Sequence, residues 1–390
     1  MKYDFDACVD RRNTNSLKWD VRDNELPMWV ADMDFQTAPE IRDEIIKRAE
    51  HGVFGYSVVS DEWYNAYSDW WRVHHGLIIE KESLIFCTGV VPAISSMVRK
   101  LTTPAEKVLI QTPVYNIFFN SILNNGREVI ESPLLYDGRG YGVDFSDLEK
   151  KLSDPQTTLM ILCNPHNPVG KIWDSKTLGR IGELCKMYGV TVISDEIHCD
   201  ITDPGRNYIP FASVNDTCRE ISATCFAPTK TFNLAGIQTA AVFVSNAFLR
   251  HKVCRGLNTD EVAEPNAFAV GAAVAAFTRG GDWLDELREY LYQNKKITSE
   301  FLLNELNEVK LVPSEATYLL WLDCSAFTDD SDKLARFIRE NTGLYLSSGS
   351  VYGSNGKSFL RLNIACPRDR LTDGLKRLKS GIKKYIVRSL

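Results

Sequence analysis

Ile221-Ser222-Ala223-Thr224-Cys225-Phe226-Ala227-Pro228-Thr229-Lys230-Thr231-Phe232-Asn233-Leu234-Ala235 is the stretch on which the fold turns. Its first six residues are small or apolar and partly β-branched, the pattern of a buried strand, and Pro228 then ends regular pairing. Lys230 therefore falls where the carboxyl end of a strand meets a loop. In open α/β sheets ligands gather at such ends. A lysine held there out of water gives up its proton more readily and can form an imine with an aldehyde. Taken by itself, the same lysine reads more readily as a solvated side chain lying along the surface. The rest of the chain has to decide.

Outward from this stretch one rhythm repeats. Between residues 84 and 245 the short apolar runs Leu84–Cys87, Val108–Gln111, Glu128–Ile130, Leu159–Cys163, Thr191–Ser194, Ile221–Phe226 and Ala240–Val244 alternate with helix-like segments. That alternation predicts an α/β fold: a mostly parallel seven-stranded sheet wrapped by helices. Leu178, Ile181, Leu184, Cys185 and Tyr188 recur at helical spacing and predict a crossover helix over Asp174–Tyr188. Gly280-Gly281 reads as a hinge or helix break. Beyond it come an amphipathic segment from Trp283 to about Asn307, an apolar run Tyr318–Leu322, a helix over Asp332–Asn341 and a run Phe359–Ile364, which together predict a smaller α+β domain. The expected division is an N-terminal arm and part of the small domain over 1–45, a large domain over 46–280 and a small C-terminal domain over 281–390. The arm, without clear periodicity, is expected to pack across the two lobes.

Composition narrows the function. Of 390 residues 44% are hydrophobic and 25% charged, which is ordinary for a globular chain and excludes disordered and fibrous classes. A net charge of −6, with Lys and Arg scattered along the chain, argues against nucleic acid or an anionic membrane as partner and favours a small molecule. No run approaches the length of a membrane span, and Met1-Lys2-Tyr3-Asp4-Phe5-Asp6 lacks the apolar core of a secretory signal, so a cytoplasmic protein is expected. The ten cysteines, Cys8, Cys87, Cys163 and Cys199 among them, form no C-x-x-C pair and read as reduced, buried small hydrophobes. No metal site is expected: His74-His75 lack an HExxH context, and His198-Cys199-Asp200 would point different ways on a strand.

Four further motifs each end a run. Thr88-Gly89-Val90-Val91-Pro92-Ala93 is a glycine turn feeding a helix over Ala93–Leu101, whose amino terminus can hold a phosphate, although any strand-to-helix turn can use glycine. Neither G-x-G-x-x-G nor a Walker sequence is present, and Gly138-Arg139-Gly140-Tyr141-Gly142 reads as a turn. Tyr115 follows the second run and Pro113, where its ring could stack on a flat cofactor or simply fill the core. Asn164-Pro165-His166-Asn167-Pro168-Val169-Gly170 makes a rigid turn that can present the Asn167 amide as a fixed donor, or serve as a turn alone. In Ser194-Asp195-Glu196-Ile197-His198 an acid emerges from a buried run and needs a partner to stay ionised; a pyridinium nitrogen, a helix end or a buried cation would each serve.

In this order, on one edge of a parallel sheet together with Lys230, these elements resemble the fold-type-I pyridoxal-phosphate enzymes of the aspartate aminotransferase superfamily. Pro27-Met28-Trp29-Val30-Ala31-Asp32-Met33-Asp34-Phe35, Phe54-Gly55-Tyr56 and Phe359-Leu360-Arg361-Leu362-Asn363 narrow the resemblance to the cystathionine β-lyase/carbon–sulfur lyase branch, and it covers nearly the whole chain. The resemblance implies pyridoxal 5′-phosphate as cofactor, with Lys230 as its covalent anchor and as catalytic base, and Asp195 as partner of its ring nitrogen. It further implies Asn167 on the phenolic oxygen with His198 behind it, and Tyr115 stacked on the ring as a second catalytic residue. The backbone of Val90 and Val91 with Thr229 would hold the phosphate, and Tyr56 would reach the phosphate of a neighbouring subunit in a homodimer. Arg361 would fork on the substrate α-carboxylate. The implied reaction is α,β-elimination from cystathionine, cysteine or other S-substituted cysteines to a thiol, pyruvate and ammonia. An aminotransferase, or a cofactor-binding regulatory protein, stands as the alternative on the same scaffold. One departure favours the lyase: many aminotransferases carry an arginine eight residues after the lysine, where this chain has Gln238.

Overall fold

The structure, a computed structural model, describes residues 2–389. The seven apolar runs fold into one sheet of β1 (Leu84–Cys87), β2 (Lys107–Ile110), β3 (Glu128–Glu131), β4 (Thr157–Cys163), β5 (Thr191–Asp195), β6 (Ser222–Phe226) and β7 (Ala240–Phe243). Their order is β1-β7-β6-β5-β4-β2-β3. All but β7 run the same way, and β7 is antiparallel to both of its neighbours. The carboxyl ends of β1, β4, β5 and β6 therefore open on one edge, which is the arrangement the sequence predicts. Central strands β4, β5 and β6 are buried almost throughout, as strands covered on both faces should be.

Helix boundaries follow local chemistry. α1 (Val90–Leu101) starts one turn before the expected Ala93, because Pro92 sits in the first turn, where a missing N–H costs nothing. The crossover helix α2 (Ser175–Met187) is capped by Asp174, whose side chain accepts from the Thr177 N–H at 2.7 Å. Lys230 lies in a four-residue helical turn, α3 (Pro228–Thr231), and not in an open loop; Pro228 occupies its first position. The Gly138–Gly142 segment is the expected turn, joining Leu135–Tyr136 to Tyr141–Gly142 in a hairpin.

Past the helix Ala269–Arg279, α4 (Gly281–Glu305) begins at once, so the glycine pair is a helix break. A Cβ on Gly280 would stand 2.5 Å from both the Ala276 carbonyl oxygen and the Phe232 ring, and the bare glycine lets this corner close on the residue two places after Lys230. The second sheet is antiparallel: β8 (Lys310–Leu311), β9 (Leu319–Asp323), β10 (Ser347–Ser348) and β11 (Phe359–Asn363), in the order β8-β9-β11-β10, with helix α5 (Ser331–Thr342) beside it.

Residues 30–35 bond on one side to the loop after Lys230 and on the other to the second sheet. Asn233, three residues after Lys230, donates to the carbonyls of Met33 (3.0 Å) and Phe35 (2.9 Å) and accepts from the Met33 N–H (3.1 Å). On the other side Asn363 donates to Val30 O (2.6 Å) and Asp32 O (2.7 Å). The arm is itself anchored by buried charge. Lys18, 1% exposed, lies 3.0 Å from Asp34, and Arg11 pairs with Asp32 at 2.7 Å and Asp34 at 2.8 Å. Removing one partner from such a set costs about 3–5 kcal/mol, because another charge is then buried alone.

Eight of the ten cysteines are buried and all are unpaired. The expectation fails for Cys8, exposed in the irregular arm, and for Cys254, half-buried on the helix Ala247–Thr259. Among the described residues no helix is long and apolar enough to cross a membrane.

Candidate active site

The strand ends, α1 and α3 enclose a cavity of about 250 Å³ whose lining includes Val90, Val91, Tyr115, Asn167, Asp195, His198, Thr229 and Lys230. Ala31, Tyr115 and Lys230 also line a neighbouring cavity of about 710 Å³, which Arg361 borders from the second sheet. Sequence reasoning thus names residues that the fold brings together from six separate elements. Tyr56 is the exception within one chain: it is fully exposed and lies with Gly236, Ile237 and Gln238 on an outer face. Gln238 borders both that face and the inner cavity.

Lys230 Nζ donates to the Ala31 carbonyl at 2.6 Å. Burial of its ammonium lowers the lysine pKa to about 8; the Arg361 charge works in the same direction, while Asp32 and Asp195 oppose it. Asp195, at the end of β5, is 5% exposed and accepts one backbone hydrogen bond, from the Ile197 N–H at 3.1 Å. Burial raises its pKa to about 7, against that bond and the Lys230 charge. Here is a carboxylate that lines the cavity and has no ion-pair partner among the described residues. His198 is fully buried, its pKa pushed down to about 3 by burial and by the Lys230 and Arg361 charges, and its Nδ1 has no hydrogen-bond partner among the described residues.

The Asn-Pro turn holds Asn167 as expected. Both of its Asn-Pro bonds are cis, and the His166 ring bonds Pro113 O at 2.8 Å, tying the turn to the segment that carries Tyr115. Asn167 Oδ1 accepts from Arg361 Nη1 at 3.3 Å, which leaves the amide NH₂ to donate elsewhere. Arg361, on β11 and 5% exposed, also donates to Trp29 O at 2.8 Å and lies 4.9 Å from the centre of the Tyr352 ring. Burial pushes the Tyr115 phenol up to about 12, so it stays protonated at any ordinary pH. At the other end of the inner cavity no side chain caps α1, and its first N–H groups and dipole are free for an anion.

One expectation needs correction. His198, Cys199 and Asp200 occupy a turn after β5 and not a strand, so they do not alternate; the chain has already left the sheet at Glu196. Asp200 instead turns inward to His75, and the two come with Cys199 to within 4.8 Å of one another. The oxygens of Asp200 are engaged by protein: Oδ1 by Trp70 Nε1 (3.0 Å) and His75 Nε2 (2.8 Å), Oδ2 by Thr231 Oγ1 (2.8 Å). Burial raises the Asp200 pKa, but these hydrogen bonds outweigh it and keep the carboxylate ionised. Its effect is to pin the residue next to Lys230.

The strap 29–32 was not singled out by any side-chain chemistry, since it acts through carbonyls. Asn363 did leave a signal: in Phe-Leu-Arg-Leu-Asn it follows Arg361 by two, which on a strand places both on one face.

A buried carboxylate, an orphaned histidine nitrogen, a lysine of lowered pKa and an uncapped helix amino terminus converge on one cavity. They fit a phosphorylated pyridine aldehyde and define a cofactor-binding α/β enzyme. The chain belongs to the aminotransferase class I and II family, whose family model matches residues 26–378. More narrowly, it falls in the cystathionine β-lyase branch that its motifs imply. It is 42% identical to "Cystathionine beta-lyase PatB" of Bacillus subtilis (strain 168) over 97% of this chain and 99% of that protein. It is 33% identical to "Protein MalY" of Escherichia coli (strain K12) over 98% and 99%. Among solved structures, cystalysin from Treponema denticola, which contains a pyridoxal 5′-phosphate cofactor, superposes with a TM-score of 0.95 at 31% identity, over 99% of this chain and 100% of that one.

Proposed function

We infer that this chain is a pyridoxal 5′-phosphate-dependent carbon–sulfur β-lyase that releases a thiol, pyruvate and ammonia from cystathionine and related S-substituted cysteines. The observation that carries the reading is a pair of adjoining cavities that share Ala31, Tyr115 and Lys230, one lined by the buried Asp195 carboxylate and the other by the Arg361 guanidinium. Bound there, the cofactor supplies an electron sink for the charge left on the substrate α-carbon.

The chain's own residues do the rest. Asp195 would keep the ring nitrogen protonated and Asn167 would donate to the ring oxygen, with His198 and Tyr115, which line the same cavity, packing beside the ring. The α1 amino terminus at Val90 and Val91, with Thr229, receives the phosphate. Arg361 grips the α-carboxylate, and its bonds to Asn167 and Trp29 O fix the fork beforehand. Lys230 would be the covalent anchor, and its free amine would be the base for the α-proton; the carbon–sulfur bond would break with the thiolate keeping the electron pair, and water would hydrolyse the released enamine to pyruvate and ammonia. Gln238 brings no guanidinium to the inner cavity, which separates this site from the aminotransferase pattern. Incubation with cystathionine decides between the two: pyruvate and thiol without any added keto acid are expected, and an absolute keto-acid requirement would overturn the lyase reading.

Capture of cofactor by the apo chain should follow the lysine's lowered pKa. Only the neutral amine attacks an aldehyde, so the capture rate rises with pH and levels off above about 8, the Lys230 value, well below that of an ordinary lysine. Stopped-flow absorbance against pH reads this directly; a rate still climbing past pH 10 contradicts it.

The enzyme works as a homodimer in this reading. Val53, Phe54, Tyr56 and Val58 are all exposed on one segment, an apolar run that calls for a cover. A second copy provides it and brings Tyr56 to the partner's phosphate. Tyr56→Ala is expected to weaken cofactor retention while sedimentation still finds a dimer; a fully active monomer would contradict the assignment. The unpaired cysteines agree with a reducing, cytoplasmic setting.

A further inference from the structure

The larger cavity runs on past Lys230 and Arg361 to one side of α5, where Asp332, Ala335, Arg336 and Arg339 line it. Their spacing, i, i+3, i+4 and i+7, is one face of a helix. Leu334 and Ile338, on another face, are buried in the core and fix the rotation of α5, so the fold itself turns the charged face to the cavity.

The three charged residues of that face are not equivalent. Arg339 is committed: it forks on Glu25 at 2.7 and 2.9 Å and lies 3.6 Å over the Tyr345 ring, which in turn stacks on Trp29 with centroids 4.8 Å apart. Asp332 accepts one hydrogen bond, on Oδ1 from Ser350 Oγ at 2.8 Å, which leaves its second oxygen open. Arg336, exposed like Asp332 at the rim of the cavity, has no ion-pair or hydrogen-bond partner among the described residues, although Asp332 lies one turn away on the same helix. The far wall thus offers one free anion and one free cation side by side. A cavity of about 710 Å³ is in the range that encloses a molecule many atoms larger than cysteine.

Resting on the lyase reading above, we propose that this face of α5 is the subsite for the far end of the substrate, and that it selects S-substituted cysteines whose departing thiol carries an amino-acid head. Asp332 receives the distal ammonium and Arg336 the distal carboxylate, the latter in the forked geometry a guanidinium favours. Arg361 holds the α-carboxylate at the near end, so the two arginines measure the length of the substrate across the scissile carbon–sulfur bond. The subsite acts on the leaving thiol and takes no part in proton transfer.

The test compares two thioethers that differ only beyond the sulfur: cystathionine, which carries the distal amino-acid head, and S-ethylcysteine, which does not. In the holoenzyme, Asp332→Asn and Arg336→Gln are each expected to lower kcat/KM for cystathionine about tenfold, the scale of one charge-assisted contact, mainly through KM. Turnover of S-ethylcysteine stays within about twofold, as for an ordinary surface substitution. An equal loss on both substrates, or no loss on cystathionine, overturns the subsite and leaves the lyase reading standing. A wild-type enzyme that yields pyruvate from neither substrate overturns the lyase reading, and this inference with it.

Discussion

Lys230→Ala is expected to abolish the visible absorbance of the cofactor-loaded enzyme and to lower pyruvate release by at least the roughly 10²–10⁴-fold that a positioned base contributes. In the proposed mechanism two functions are lost together, the covalent anchor and the base. His198 lines the same cavity, but its pKa is driven to about 3 by burial and the Lys230 and Arg361 charges, so it is a poor proton acceptor near neutrality. Tyr115, pushed up to about 12, stays protonated. Lys230→Arg should fail as well, since a guanidinium stays charged and cannot serve as a nucleophile or base. The loss is chemical and not structural. The ammonium of Lys230 is disfavoured where it sits, which is why its pKa falls to about 8, and its single hydrogen bond, to Ala31 O, is one of several that hold the strap. Thermal melting of the apo variant near neutral pH is therefore expected at or above that of the wild type. A variant that keeps near-full lyase activity would remove Lys230 from the mechanism.

The parts of this molecule that were legible in sequence share one property: the signal lies in consecutive residues. Each of the seven strands announces itself as an apolar run, and each site motif ends such a run, so Asp195, Asn167 and Lys230 could be assigned to one sheet edge before any coordinates. The antiparallel direction of β7 was not legible, because a run such as Ala240–Phe243 reads the same in either sense and only its pairing with β1 and β6 sets it. The same limit explains the error at His198-Cys199-Asp200. Nothing in the consecutive residues marks where the strand ends, and the carboxylate of Asp200 is satisfied by Trp70, His75 and Thr231, which arrive from distant places. Contacts made by carbonyls were invisible for a simpler reason. Ala31 O receives both Lys230 and Tyr318, and Trp29 O receives Arg361 and Ser347, yet neither role depends on the residue's own side chain.

Asp195→Asn should move stability and activity in opposite directions. In the unfolded chain the carboxyl titrates near 3.9, whereas in the folded chain burial raises it to about 7. Below about pH 4 both states are protonated and the group contributes nothing to the balance. As pH rises the unfolded chain releases its proton first, so the folded apo protein loses stability progressively until Asp195 itself ionises. Above pH 7 the accumulated cost is roughly 4 kcal/mol for this fully buried group. Asparagine mimics the protonated acid and never incurs it. The apo variant is thus expected to melt above the apo wild type at pH 8 and level with it at pH 4. In the proposed cofactor-loaded enzyme an ionised Asp195 would face a protonated ring nitrogen, which would turn a destabilising charge into a preorganised one, whose removal typically costs about 10²–10³ in kcat. Paired melts of the apo chains at the two pH values, with pyruvate release from the loaded enzymes, read both effects. If the variant melted below the wild type at pH 8, Asp195 would be a structural acid whose ion-pair partner lies within the chain; if it kept full turnover, the ring nitrogen would be held protonated by some other group.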